Sequence, residues 1–255
     1  MTEFNTVRRA GAGVRSAEID AGLRAHMNKV YGLMSVGLVV TGIVSYFVGM
    51  DLSAAVNGEP TRFLSYGVIN AMFTSPLMYL VMFAPLIMVF MFGAAVNRLS
   101  QAGAQMFFYV FSALMGLSLS SIFVVYTGFS IAQIFFITAI AFSSLSLWGY
   151  TTKKDLTGWG SFLIMGVVGI LVASIVNIWL ASPAIMFAVS ALGVLLFAGL
   201  TAYDTQKIKS MYLQVRSHPD GEAIAGKMAI HGALSLYLDF INLFLMLLRL
   251  FGNRN

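Results

Sequence analysis

A chain of 255 residues that is 59% hydrophobic and only 10% charged, with a mean hydropathy of +0.86, lies outside the composition of a soluble domain. It has no cysteine, which excludes a disulfide framework and thiol chemistry. The net charge of +5 suits membrane topology and anionic lipid, and nothing in its distribution calls for nucleic acid.

Residues 1–28 are polar and mixed in charge, with Glu3, Glu18 and Asp20 among the arginines. They lack a short apolar core followed by a small-residue cleavage site, so they read as a cytoplasmic tail and not as a removable signal. A transmembrane domain is predicted over 29–252. Its first span is 30–48. The stretch 63–76 is uncharged but too short to cross a bilayer, and reads as an outer loop or an interfacial helix leading into a second span at 77–97. Residues 99–152 and 156–203 contain no Asp, Glu, Lys or Arg, and each is long enough for two helices of about 20 residues. Thr127-Gly128-Phe129-Ser130 divides the first run and Ala181-Ser182-Pro183 the second. The spans that follow are 106–126, 131–150, 159–180 and 184–206. A long inner linker at 210–227, holding Arg216, Asp220 and Glu222, precedes the last span at 228–250.

The apolar runs are continuous rather than alternating, which favours helices that satisfy their own backbone polar groups in lipid. The fold class expected is an all-α membrane protein, a bundle of seven transmembrane helices. With the N-terminus inside and the C-terminus outside, 12 of the 15 basic residues fall on the inner side, leaving Arg62, Arg249 and Arg254 outside. Two small-residue stripes, Ser112/Gly116/Ser120 and Gly169/Ala173/Asn177, read as helix-packing faces. His26, His218 and His231 are scattered towards the inner side and read as surface residues rather than a metal site.

Two aspartates stand where a bilayer disfavours them. Asp204 closes the sixth apolar run, and Asp239 lies about 11 residues, roughly 16 Å, into the seventh span. An intramembrane carboxylate faces a bundle interior or a watery path and marks function by default. Two of them in one low-dielectric site do not both ionise easily; they share a proton and titrate as a unit, which makes a pH sensor. When ionised they attract Ca²⁺, but two carboxylates supply at most four of its six to eight oxygens, so only a weak, transient site is expected, with Asn242 one turn beyond Asp239 as a secondary polar candidate. Arg98, the sole charge between residues 63 and 152, is the natural counter-ion and a candidate latch at the inner ends of the helices.

The stretches around the two aspartates, Gly199-Leu-Thr-Ala-Tyr-Asp-Thr-Gln-Lys207 and Leu236-Tyr-Leu-Asp-Phe-Ile-Asn-Leu-Phe-Leu, resemble the Bax inhibitor-1 (TMBIM) family. Trp148-Gly-Tyr-Thr-Thr-Lys-Lys-Asp-Leu156 and the Gly252-Asn253-Arg254 ending resemble its bacterial inner-membrane branch. The resemblance implies a bundle with the last helix central and the other six around it. It implies a pH-sensitive calcium leak channel in a bacterial inner membrane, with Asp204 and Asp239 as pH sensor and ion pathway, Arg98 as the gate's partner, and Ca²⁺ as permeant ion rather than cofactor. The alternative is a membrane regulator that binds another membrane protein, since some bacterial members are linked to an ATP-dependent membrane protease. A secondary transporter ranks third, for want of an inverted repeat. An enzyme is disfavoured: no histidine lies in a span interior to serve a serine hydrolase, and no lysine lies within a span to hold retinal.

Overall fold

This computed structural model describes the backbone of residues 2–216 and 221–255 and, within them, the side chains of all but residues 2–19, 94, 95 and 97. His218 and Asp220 lie outside the described residues. Helices at both ends of the chain continue well past the apolar spans. α1 runs Thr2–Val56, and its stretch from Asp20 is apolar enough to cross a membrane. The polar tail and the first span are therefore one helix, and Leu23, His26 and Met27 are already buried in the bundle.

α2 (Tyr66–Phe73) and α3 (Leu77–Arg98) meet at a 65° bend around Thr74, Ser75 and Pro76, either a broken span or a re-entrant turn. α4 (Gln101–Leu119) starts at Ser100, whose side chain accepts from the Gly103 N–H at 3.1 Å. A short α5 (Ile122–Val125) precedes α6 (Gly128–Thr151), α7 (Trp159–Leu180), α8 (Pro183–Val215) and α9 (Gly221–Phe251). Thr127 caps α6 by accepting from the Ser130 N–H, and Ser182 caps α8 with Pro183 in its first turn. Both turns sit where the sequence signals placed them, because capping oxygens there take up N–H groups the helix leaves free. Among the described residues six helices are long and apolar enough to cross a membrane, or seven if α2 and α3 form one span.

Two expectations are corrected. The inner linker at 210–227 is mostly helix: α8 continues to Val215 and α9 begins at Gly221, since residues 203–215 contain no Gly or Pro to stop α8. The stripe on α7 packs only in part: Ala173 lies against the core and Asn177 accepts from the Ser182 N–H, but Gly169 is exposed. A Cβ added at Gly169 would meet nothing within 4 Å, and α7 packs chiefly on α8, with most of its remaining surface turned outward. By contrast Ser112, Gly116 and Ser120 are buried against α1.

α9 is the most buried helix, enclosed by α1, α4, α6 and α8. Tyr237 is fully buried at its middle, edge-on to Phe108 and Phe111. Its hydroxyl donates to Thr41 Oγ1 (2.6 Å), which donates in turn to the Ser112 carbonyl (2.8 Å), so three helices share one satisfied polar path.

The end of the bundle that carries Asp51 is tied by two backbone devices. The Asp51 carboxylate, 1% exposed, accepts from the N–H groups of Arg62, Phe63 and Leu64 at 2.7, 2.8 and 2.6 Å. Beyond α9, the Asn253 carbonyl accepts from the Thr127 N–H and the Asn255 N–H donates to Val125, an antiparallel bridge onto the α5–α6 turn. Asp51→Ala removes the shared acceptor of three partly buried N–H groups, each such bond being worth about 0.5–1.5 kcal/mol. Amide exchange at residues 62–64 is expected to accelerate by tenfold or more in that variant; unchanged exchange would show that the loop is held by something else.

Candidate functional site: a carboxylate pair near the basic end of the bundle

The opposite end of the bundle collects Lys153, Lys154, Lys207 and Lys209 and is called here the basic end. It is pinned by polar side chains. Gln206 donates to the Lys154 carbonyl and accepts from the Leu156 N–H, both at 2.8 Å, clipping the α6–α7 loop to α8. Lys209 Nζ donates to the Tyr150 carbonyl at 2.8 Å. A hydroxyl chain lies next to them. Thr205 donates to the Thr201 carbonyl (2.7 Å), so it accepts from Ser146 (2.9 Å), and Ser146 accepts from Tyr31 (2.6 Å). α1, α6 and α8 are joined by that one directional path. Thr205→Val is expected to lower stability by about 1–2 kcal/mol through the unpaired Ser146 hydroxyl, read as a lower midpoint in thermal unfolding; an unchanged midpoint would show that Ser146 finds another partner.

The two aspartates meet across α8 and α9, the most extensive helix contact in the bundle. Asp239 is 5% exposed, and its Oδ2 has no hydrogen-bond partner. The acidic group acting on it is Asp204, close enough for a like-charge interaction. Asp204 is half-buried and borders a cavity of about 80 Å³, enough for a few waters, also lined by His26, Lys207, His231 and Ser235. One carboxylate thus lies in the protein interior and the other at the edge of a small polar chamber. The arrangement can hold one proton or two negative charges, and the second state is strained by the charges themselves.

Arg98 is not part of this arrangement. It ends α3 as an exposed side chain, and neither aspartate has a hydrogen bond or ion pair to it among the described residues; the cation acting on Asp204 is Lys207. Asn242 also turns away from the pair: its amide donates to the Leu238 carbonyl of its own helix at 2.8 Å. His26 is a correction of a different kind. Expected at the surface, it is 6% exposed, stacked on Tyr212 at 4.6 Å, with Nε2 unpartnered. The signal that could have found it is its register: Leu23, His26, Met27 and Val30 lie on one helical face, so the apolar stripe begins before the span. His231 is exposed but lines the same chamber. The two histidines and Asp204 do not converge closely enough to hold a metal ion among the described residues.

Comparison with known proteins identifies the family of this chain. The model of the family described as "Inhibitor of apoptosis-promoting Bax1" matches residues 23–255. The chain belongs to this Bax inhibitor family. It is 47% identical to the "Inner membrane protein YbhL" of Escherichia coli, over 92% of this chain and 94% of that protein. A Caulobacter vibrioides protein is 44% identical over 99% of this chain and 98% of its own length. An "Uncharacterized membrane protein" of Streptococcus pyogenes is 33% identical over 92% and 96%. The family match starts at residue 23, so within the Bax inhibitor family the buried beginning of α1, with His26, belongs to the shared domain and not to a tail.

Proposed function

We propose that this Bax inhibitor family member is a non-catalytic, multi-pass inner-membrane protein that forms a passive cation leak pathway, with Ca²⁺ as the permeant ion and the Asp204–Asp239 pair as its pH-sensitive element. The basic end faces the cytoplasm, as the positive-inside rule asks. The observation that carries the reading is the Asp239 carboxylate oxygen, buried without a partner and faced by a second carboxylate that borders a polar chamber. A static structural pair would be satisfied by hydrogen bonds.

The sign follows from geometry. With a proton shared, α8 and α9 lie together. With both carboxylates ionised they repel across a low-dielectric contact, which favours separation and water entry. Flux is therefore expected to rise with pH. The test is calcium uptake into liposomes holding purified protein, from pH 6 to 8, for wild type, Asp204→Asn and Asp239→Asn. Flux that rises with pH in wild type and is flat in both variants supports the pathway. Flux no greater than in empty liposomes would move the reading to a membrane regulator that acts by binding another membrane protein.

A further inference from the structure

Small residues on facing membrane helices normally bring those helices together. Between α1 and α6 they do not. Gly42 on one side and Ala132 and Ala139 on the other border an open groove of about 850 Å³, whose floor is Phe240 and Phe244 of the central helix. A Cβ added at Gly42 would meet nothing within 4 Å. Among the described residues the one hydrogen bond between the two helices is that of Tyr31 to Ser146. Beside that bond a second cavity of about 380 Å³ shares Tyr31, Phe142 and Ser143 with the groove and carries it on to Arg24 and Asn28. From Arg24 to Tyr46 α1 rises about 33 Å, so the combined groove runs the depth of a hydrocarbon core of about 30 Å.

The two ends of this groove differ in chemistry. Along the membrane it is apolar and partly aromatic, with the bundle core beneath it. At the basic end it finishes on Arg24, which is exposed and has no ion pair among the described residues, even with Asp20 one turn away on the same helix. Lys209 adds positive charge there, its Nζ 5.0 Å from the centre of the Tyr150 ring that lines the same cavity. The complementary occupant is long and apolar with a single anionic end. A guanidinium binds a phosphate through two parallel N–H bonds. We propose that the α1–α6 groove is a binding site for an anionic phospholipid of the leaflet at the basic end, with an acyl chain over Phe240 and Phe244 and the phosphate at Arg24.

The absence of cysteine gives a clean test, because Ser143→Cys introduces a single labelling point on the groove wall. The thiol carries a bimane fluorophore, and the protein sits in phosphatidylcholine vesicles containing nitroxide-chain phosphatidylglycerol or nitroxide-chain phosphatidylcholine. Quenching by phosphatidylglycerol is expected at about fivefold lower mole fraction than by phosphatidylcholine. Arg24→Gln should bring the two curves together and Arg24→Lys should keep most of the separation. Gly42→Trp should weaken quenching by both lipids, because it fills the groove from a position with room for the side chain. Coincident curves in the wild-type background would overturn the proposal in favour of ordinary annular lipid. No quenching by either lipid, while the same label at the outward-facing Phe162→Cys is quenched, would overturn it in favour of a groove covered by protein.

Discussion

Gly149→Val is expected to leave almost no folded protein in the membrane. Gly149 is where α6 and α8 come closest: a Cβ there would press into the carbonyl oxygen of Ala202, with the Ala202 Cα at 2.8 Å and its carbonyl carbon at 2.9 Å. All three are backbone atoms, so no side-chain rotation relieves the clash and the helices must separate. Separation would also break the Ser146–Thr205, Lys209–Tyr150 and Gln206–Lys154 bonds, which join the same helices or the loop beside them. Overpacking a well-packed contact costs about 1–3 kcal/mol, and stranding the buried Ser146–Thr205 pair adds about 1–3 more. The paired control is Gly42→Ala, a helical glycine with open space around it, where the better helix propensity of alanine is worth up to about 1 kcal/mol. Yield after extraction and the thermal midpoint separate the two: a collapse for Gly149→Val, and an equal or higher midpoint for Gly42→Ala. Normal yield of Gly149→Val would show that α6 and α8 are not held at this distance.

Asp239→Leu is expected to raise the thermal midpoint by several degrees while abolishing the pH response of flux. The substitution replaces a buried carboxylate that has an unpaired oxygen with an apolar side chain of similar size. It removes an unmet hydrogen bond worth about 1–3 kcal/mol and a like-charge contact with Asp204. Asp239→Asn retains the polarity and loses only the titration, so it should flatten the pH profile with a smaller change in midpoint. Asp204 borders the chamber and is half-exposed, and its replacement should change stability less. A fall in midpoint of several degrees in Asp239→Leu would mean that the carboxylate holds the helices together, and the pair would then be a structural one.

Six of the spans, their turns and the two aspartates were legible because each rests on a one-dimensional signal. Apolar length sets the helices, Thr127 and Ser182 carry capping oxygens at their starts, and a charge in an apolar run announces itself. What was not legible depends on which neighbour a helix face meets. His26 looks like a tail residue until Tyr212, nearly two hundred residues on, is seen stacked against its ring. Arg98 looks like a counter-ion by its isolation in sequence, yet it lies exposed and apart from the pair. Asp51 gave no sign that three backbone N–H groups from residues 62–64 would close on its carboxylate. Gly169 and Gly116 have similar surroundings in sequence; one faces outward because α7 is peripheral, and the other is pressed on the Thr41 backbone.

The bridge from Asn253 and Asn255 to the α5–α6 turn has a mechanical consequence. A rod anchored at one extremity pivots; it does not slide like a piston. α9 spans 31 residues, about 46 Å, from that anchor to Gly221. A tilt too small to disturb the Tyr237 layer at mid-length displaces Gly221 by about twice as much. The polar chamber lies between that layer and the free end, along Met228 to Ser235, so a slight lean of the central helix moves the chamber wall beside Asp204 further than it moves the packed middle.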